Sequence, residues 1–318
     1  MKKFLISTAL CSVFVVSSVS FPHANEIETV KSRISSTLVQ IAQSPDPTAV
    51  MEDLAKDYVL GEVNNQINLL EEQALQNSNW KYLGVTLGFE NDEPSLEVMS
   101  VYGLHETSNW FFFNQSSLNT YDQRTTLNVG FGARHINDAE SLILGANAFY
   151  DYEFGSEHRR VGVGVEAFTE DLEFRANGYR ALTGEILYDS VYETALDGYD
   201  VKLTYNMPEY LNSSLYFLTE YWENDSGYST DKNSLGVTAE LAPNLTANLA
   251  VAKTGDEDAQ GEVSIAYSIP FGGGHQRTNT RSTSSSPRSL RNMLYIPVER
   301  ENRIHKSSVR LGVTMSGV

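Results

Sequence analysis

Between Trp80 and Phe271 apolar and polar side chains alternate, and no other property of this chain restricts its fold as strongly. In the run from Thr125 to Arg134, Leu127, Val129, Phe131 and Ala133 share one face, while Thr126, Asn128, Gly130, Gly132 and Arg134 share the other. Val161, Val163, Val165 and Ala167 oppose Gly162, Gly164 and Glu166 in the same way. Successive side chains of a strand point to opposite faces, so a period of two means sheet. Two architectures satisfy it. A sandwich of two sheets turns its apolar faces inward. A membrane barrel turns them outward to lipid and lines its lumen with the polar ones.

The alternation divides into twelve segments: 80–90, 95–105, 110–118, 125–134, 142–152, 159–169, 172–181, 199–206, 214–222, 234–241, 245–253 and 262–271. Turn residues separate many of them, among them Asn137-Asp138, Gly155-Ser156 and Asn224-Asp225-Ser226-Gly227. An even number of strands of about nine to eleven residues suits an outer-membrane barrel. Aromatic residues gather near segment ends, at Trp110–Phe113, Phe149-Tyr150 and Tyr221-Trp222. They are expected to form interfacial girdles.

The amino terminus agrees with export. Met1-Lys2-Lys3 precedes a short apolar run and small residues, the pattern of a signal peptide over 1–24, with cleavage after Ser20 or Ala24. Cys11, the only cysteine, lies within it. Residues 25–79 read as a periplasmic leader with a helix from about Ala49 to about Gln76, capped by Thr48. The net charge of −18 argues against nucleic acid as a partner.

Residues 272–318 differ from the rest. They carry eight Lys/Arg against two Glu, and Gly272–Gly274 and Ser282–Ser286 interrupt the start. A basic tail beside an acidic lumen is expected to enter the pore, with Arg277, Arg281, Arg288 and Arg291 passing Glu166, Glu220, Glu240 and Glu262. A tail resting on acidic lipid, or simply solvated, is the alternative.

Several motifs together resemble the inverse autotransporters, the intimin/invasin family of outer-membrane adhesins. They are Gln115-Ser116-Ser117-Leu118 with Asp122-Gln123-Arg124-Thr125, Asn128–Gly132 with Arg134-His135, Gly145–Tyr152, His158–Glu166, and Ala176–Tyr179 leading to Leu182-Thr183-Gly184. Val298–Ile304, with Glu299, Arg300 and Asn302, resembles the segment that follows the barrel in that family. The resemblance implies an all-β fold: a twelve-stranded antiparallel transmembrane barrel over 80–271, with a short helical leader before it and a pore-threading linker after it. It implies an outer-membrane translocator and anchor that displays a carboxyl-terminal passenger. Since Val318 follows the linker motif so closely, no passenger is expected in this chain, and a stand-alone pore plugged by its tail is the alternative. The expected surroundings are outer-membrane lipid, barrel-assembly machinery, periplasmic chaperones and the chain's own linker, around a monomer.

No constellation for catalysis stands out. The six histidines lack zinc-ligand spacing, and Gly130-Phe131-Gly132 and Gly162-Val163-Gly164 lie inside strands rather than before a helix. Neither cofactor nor metal is expected. The residues singled out are Arg124, Arg134, Asn147, Asp151, Arg159 and Glu166. All but Arg159, which shares parity with Val161 and is assigned to the rim, are expected to form a charge-assisted ladder that stiffens the barrel and grips the linker. Solvation of a wet lumen is the alternative role.

Overall fold

The computed structural model describes residues 79–90, 93–122, 124–207, 212–242, 245–270 and 290–310. The expected signal peptide, the helix of the leader, and Arg277, Arg281 and Arg288 lie outside the described residues.

Twelve antiparallel strands close into a barrel. They are β1 (Trp80–Glu90), β2 (Glu93–Glu106), β3 (Trp110–Tyr121), β4 (Arg124–Ile136), β5 (Ile143–Glu153), β6 (Arg159–Phe168) and β7 (Leu172–Ala181). After the short strands β8 (Glu185–Tyr188) and β9 (Val191–Ala195) come β10 (Asp197–Met207), β11 (Ser213–Glu223), β12 (Ser229–Ala242), β13 (Leu245–Thr254) and β14 (Gln260–Pro270). Each barrel strand pairs with its neighbour in sequence, β7 pairs with β10, and β14 closes on β1. Closure removes the free edges that an open sheet would present in lipid.

Exposure shows which face is which. Phe131, Leu144, Val163, Leu203, Leu235 and Leu249 are each half exposed or more. Asn128, Arg134, Asp151, Arg160, Glu166 and Arg175 are buried. The apolar set therefore faces outward and the charged set inward, the reverse of a sandwich.

The aromatic clusters need correction. Trp110, Phe112 and Tyr150 point outward as girdle residues should, but Phe111, Phe113, Phe149 and Trp222 are buried inside. Adjacent strand residues cannot share a face, so each cluster supplies both lipid and lumen.

Four elements lie outside the barrel wall. A 3-10 turn spans Leu290–Tyr295, and β15 (Lys306–Arg310) pairs with β9 in a small sheet of order β15-β9-β8. Leu290, Met293, Leu294 and Val298 pack with Phe111, Phe113, Ile136, Ile143, Phe149 and Phe168 in an apolar cluster inside one mouth. Burying each such aliphatic side chain contributes about 1.5–3 kcal/mol, so the turn is held by packing as well as by charge.

Candidate functional site

The register arranges the inward side chains in rows that cross the strands. One row runs Gln115, Gly130, Phe149, Gly162, Tyr179, Gly198 and Trp222 on β3, β4, β5, β6, β7, β10 and β11. Large and absent side chains alternate along it, so each ring lies over a neighbouring glycine. A Cβ at Gly130 would sit 2.3 Å from the Phe149 ring, so the close approach itself requires glycine there. A second row runs Arg134, Gly145, Glu166, Arg175 and Lys202. Gly145 leaves room for the ion pair over β5: Arg134 Nε and Nη2 each donate to Glu166 at 3.0 Å. A third runs Ser117, Asn128, Asp151 and Arg160, with Arg160 Nε donating to Asp151 at 2.8 Å.

Residues 290–306 run along these rows. At the mouth where β1 begins and β14 ends, Arg291 pairs with Glu140 on the β4–β5 connection at 2.7 Å, and the Tyr295 hydroxyl donates to Glu106. Arg134 Nη1 donates to the carbonyls of Leu294 at 2.9 Å and of Ile296, while its guanidinium lies over Phe113 and Phe168. It thus satisfies carbonyls at the end of the 3-10 turn that have no partner within the turn. Gln115 then mimics a strand neighbour: its Nε2 donates to Val298 O at 3.0 Å and its Oε1 accepts from Val298 N at 2.7 Å.

Deeper in, Arg300 and Asp151 form a two-pronged pair at 2.8 and 2.7 Å. Both side chains are almost wholly buried, and the Arg300 guanidinium lies 4.5 Å over Phe149. Arg160 Nη2 donates to Glu301 O at 2.7 Å, Glu301 N donates to the Tyr179 oxygen at 2.8 Å, and Asn128 donates to Asn302 O at 2.9 Å. Glu299 pairs with Lys202 at 2.6 Å, and Asn302 donates to Glu97. At the opposite mouth Lys306 pairs with Glu153 at 2.6 Å, and β15 joins β9. The wall therefore binds main-chain atoms at 294, 296, 298, 301 and 302. An extended chain in a lumen has no sheet partner, and an unpaired buried peptide group is costly.

The singled-out residues fall into several places. Arg134, Asn147, Asp151 and Glu166 are buried on the inner face. Arg124 lies at the far mouth, 2.6 Å from Glu193. Arg159 is at the rim, about half exposed and 3.9 Å from Glu157. Of the four tail arginines expected to pass Glu166, Glu220, Glu240 and Glu262, Arg291 alone lies among the described residues, and it pairs with Glu140 instead. Glu166 is held by Arg134, Glu240 accepts from Asn212 at 2.9 Å, and Glu262 pairs with Lys232 at 2.7 Å. Within the segment Arg291 meets Glu140, Arg300 meets Asp151 and Arg303 meets Glu301.

Arg160, Arg175, Tyr179 and Gln115 were not among the lumen residues singled out, although all but Arg175 lie within the motifs that carry the family resemblance. The parity of Gly162, Gly164 and Glu166 already put Arg160 inside; the neighbouring Arg159 drew attention away from it. At the β5–β6 connection, burial and the nearby Lys306 ammonium hold the His158 pKa below the ordinary histidine value. His158 is then neutral at pH 7, with Nδ1 2.9 Å from Thr183 Oγ1.

Comparison with known proteins adds an independent line. Residues 32–302 match the family model described as the inverse autotransporter beta-domain. The inverse autotransporter adhesin YeeJ of Escherichia coli K12 is 26% identical over 92% of this chain and 13% of its own length. Intimin of Escherichia coli O157:H7 is 26% identical over 79% of this chain and 28% of its own. Invasin of Yersinia enterocolitica is 30% identical over 48% of this chain and 17% of its own. The chain thus spans well under a third of each of these relatives. A membrane-protein structure solved in work on in-meso crystallization matches with a TM-score of 0.63 at 20% identity, over 72% of this chain and 100% of that one, a likeness of fold.

Proposed function

The chain belongs to the inverse autotransporter beta-domain family and is an outer-membrane barrel protein, and from that premise we propose that it anchors a polypeptide in the membrane and carries the segment after β14 through its own lumen. The observation behind this reading is the path of residues 290–306. They enter at the mouth where β14 ends and reach β9 at the other. Residues 296–306, extended at about 3.3 Å per residue, reach about 35 Å, against about 30 Å of hydrocarbon. The connection from Ala181 to Asp197, which carries β8 and β9, lies at the exit mouth. Outer-membrane barrels put their longer connections outside, so the exit mouth is assigned to the cell surface and the entry mouth to the periplasm. The chain's further partners in this role are the periplasmic chaperones and assembly machinery that insert barrels. The adhesion for which one relative is named is assigned to sequence beyond the barrel, whose outer face meets lipid and whose lumen holds the segment.

Main-chain recognition suits a conduit. Gln115, Asn128, Arg134, Arg160 and Tyr179 bind peptide groups, which every sequence carries. Asp151 is different, because its two-pronged pair needs an arginine and so marks where the chain stops.

The test replaces Gly317 with cysteine in a Cys11→Ser background and treats intact cells with a membrane-impermeant thiol reagent. Labelling of whole cells is expected. Labelling only after the outer membrane is permeabilised would place the end of the chain in the periplasm and remove the translocator reading.

A further inference from the structure

We propose that Glu220, Glu301 and His305 bind one divalent transition-metal ion of the Zn2+ class, joining the barrel wall to the segment inside it. One ligand atom from each lies within 4.8 Å of the others. Glu220 is on β11; Glu301 and His305 are on the enclosed segment.

Two features point to a missing cation. The first is Glu220, which is 3% exposed and makes no hydrogen bond with the described residues, Lys232 and Arg303 acting on it only through space. A buried carboxylate without a hydrogen bond is costly, and this one faces a second carboxylate. The second is His305 Nε2, which is buried and makes no hydrogen bond although it lies 3.5 Å from Glu301 Oε2. Its ring stacks on Trp222 at 4.3 Å, so its direction is set by packing. A ring nitrogen without a hydrogen bond, set beside two carboxylates, is the arrangement that a bridging cation satisfies.

The nearby basic groups have other duties. Arg303 binds Glu301 Oε1 through its backbone N–H at 2.7 Å and Nε at 3.1 Å, with Nη2 3.3 Å from Oε2. Lys232, opposite Glu220 in register, pairs with Glu262 at 2.7 Å. The donor set selects the ion. Ca2+ and Mg2+ take oxygen ligands, whereas an imidazole with two carboxylates suits Zn2+, Co2+ or Ni2+. Zinc bonds of about 2.0–2.2 Å put ligand atoms about 3.5 Å apart. The Glu220 carboxylate then closes by about an ångström through side-chain rotation, and water completes the shell. The site stands on the position of the segment and not on its direction of export.

The test titrates the full-length refolded protein, without a histidine tag, with ZnCl2 by calorimetry and with Co2+ by visible absorption. One ion per chain is expected, undisturbed by millimolar Ca2+ or Mg2+. Glu220→Gln and His305→Phe, the latter keeping the stack on Trp222, should each weaken binding at least tenfold while the unboiled protein keeps its folded gel mobility. His158→Gln, at the other buried histidine, should leave binding unchanged. Absence of saturable uptake by the wild-type protein would overturn the proposal. So would uptake that His305→Phe leaves intact, or uptake lost in His158→Gln alone.

Discussion

Asp151→Asn is expected to free the enclosed segment from the lumen. Asp151 is fully buried and accepts from Arg160, Arg300 and Asn128 together. The amide keeps the shape and removes the charge, leaving two buried guanidinium groups against a neutral neighbour. Breaking a buried pair in this way costs about 3–5 kcal/mol. Each 1.4 kcal/mol is about tenfold in an equilibrium, so the seated population falls by hundreds-fold or more relative to the unseated one. In planar bilayers the wild-type protein should conduct little and Asp151→Asn should conduct through an open lumen. Arg300→Met should have the smaller effect, because Asp151 keeps Arg160 and Asn128. Equal conductance of Asp151→Asn and wild type would mean that this pair does not hold the segment.

Arg134→Met should produce the second large loss, this time in barrel stability. Arg134 is fully buried and serves Glu166, the carbonyls at the end of the 3-10 turn, and two aromatic faces. Methionine fills part of the volume but leaves Glu166 with only Arg175, 3.8 Å away. The expected cost is about 3 kcal/mol, read as a lower temperature for the heat-induced gel shift. Adding Glu166→Gln to Arg134→Met should restore part of it, since removing both charges leaves no carboxylate exposed to an empty site. A double variant less stable than the sum of the two single losses would contradict this account of the row.

The barrel was legible because its strands are long and strictly alternating. Thr126 to Arg134 alone assigns inner and outer faces, and the same parity extends across the chain. Strands β8, β9 and β15 were not legible. They have four or five residues each, too few for a period to register, and β15 finds β9 across more than a hundred residues of chain. The aromatic clusters were misread as wholes because clustering reports position along a strand, while face depends on odd or even number. Among charges, parity showed which ones enter the lumen but not their partners. Arg134 meets Glu166 over Gly145, and Arg300 meets Asp151, through a closure and a threaded segment that no spacing encodes. Glu220 and His305, far apart in sequence, come together for the same reason.

The central claim is that the segment after the barrel crosses the lumen and arrives beside β9. Thr194 and Ser307 are directly opposite in the β9–β15 pair. Opposed residues in antiparallel strands have Cα atoms about 4.5–5.5 Å apart, within disulfide range. In a Cys11→Ser background, Thr194→Cys with Ser307→Cys should form an intramolecular disulfide in native outer membranes under mild oxidation. Ser307→Cys with Thr246→Cys, near the entry mouth, should not. Cross-linking of the first pair alone is the predicted result; no cross-link to position 194, or an equal cross-link to position 246, would contradict the threaded lumen.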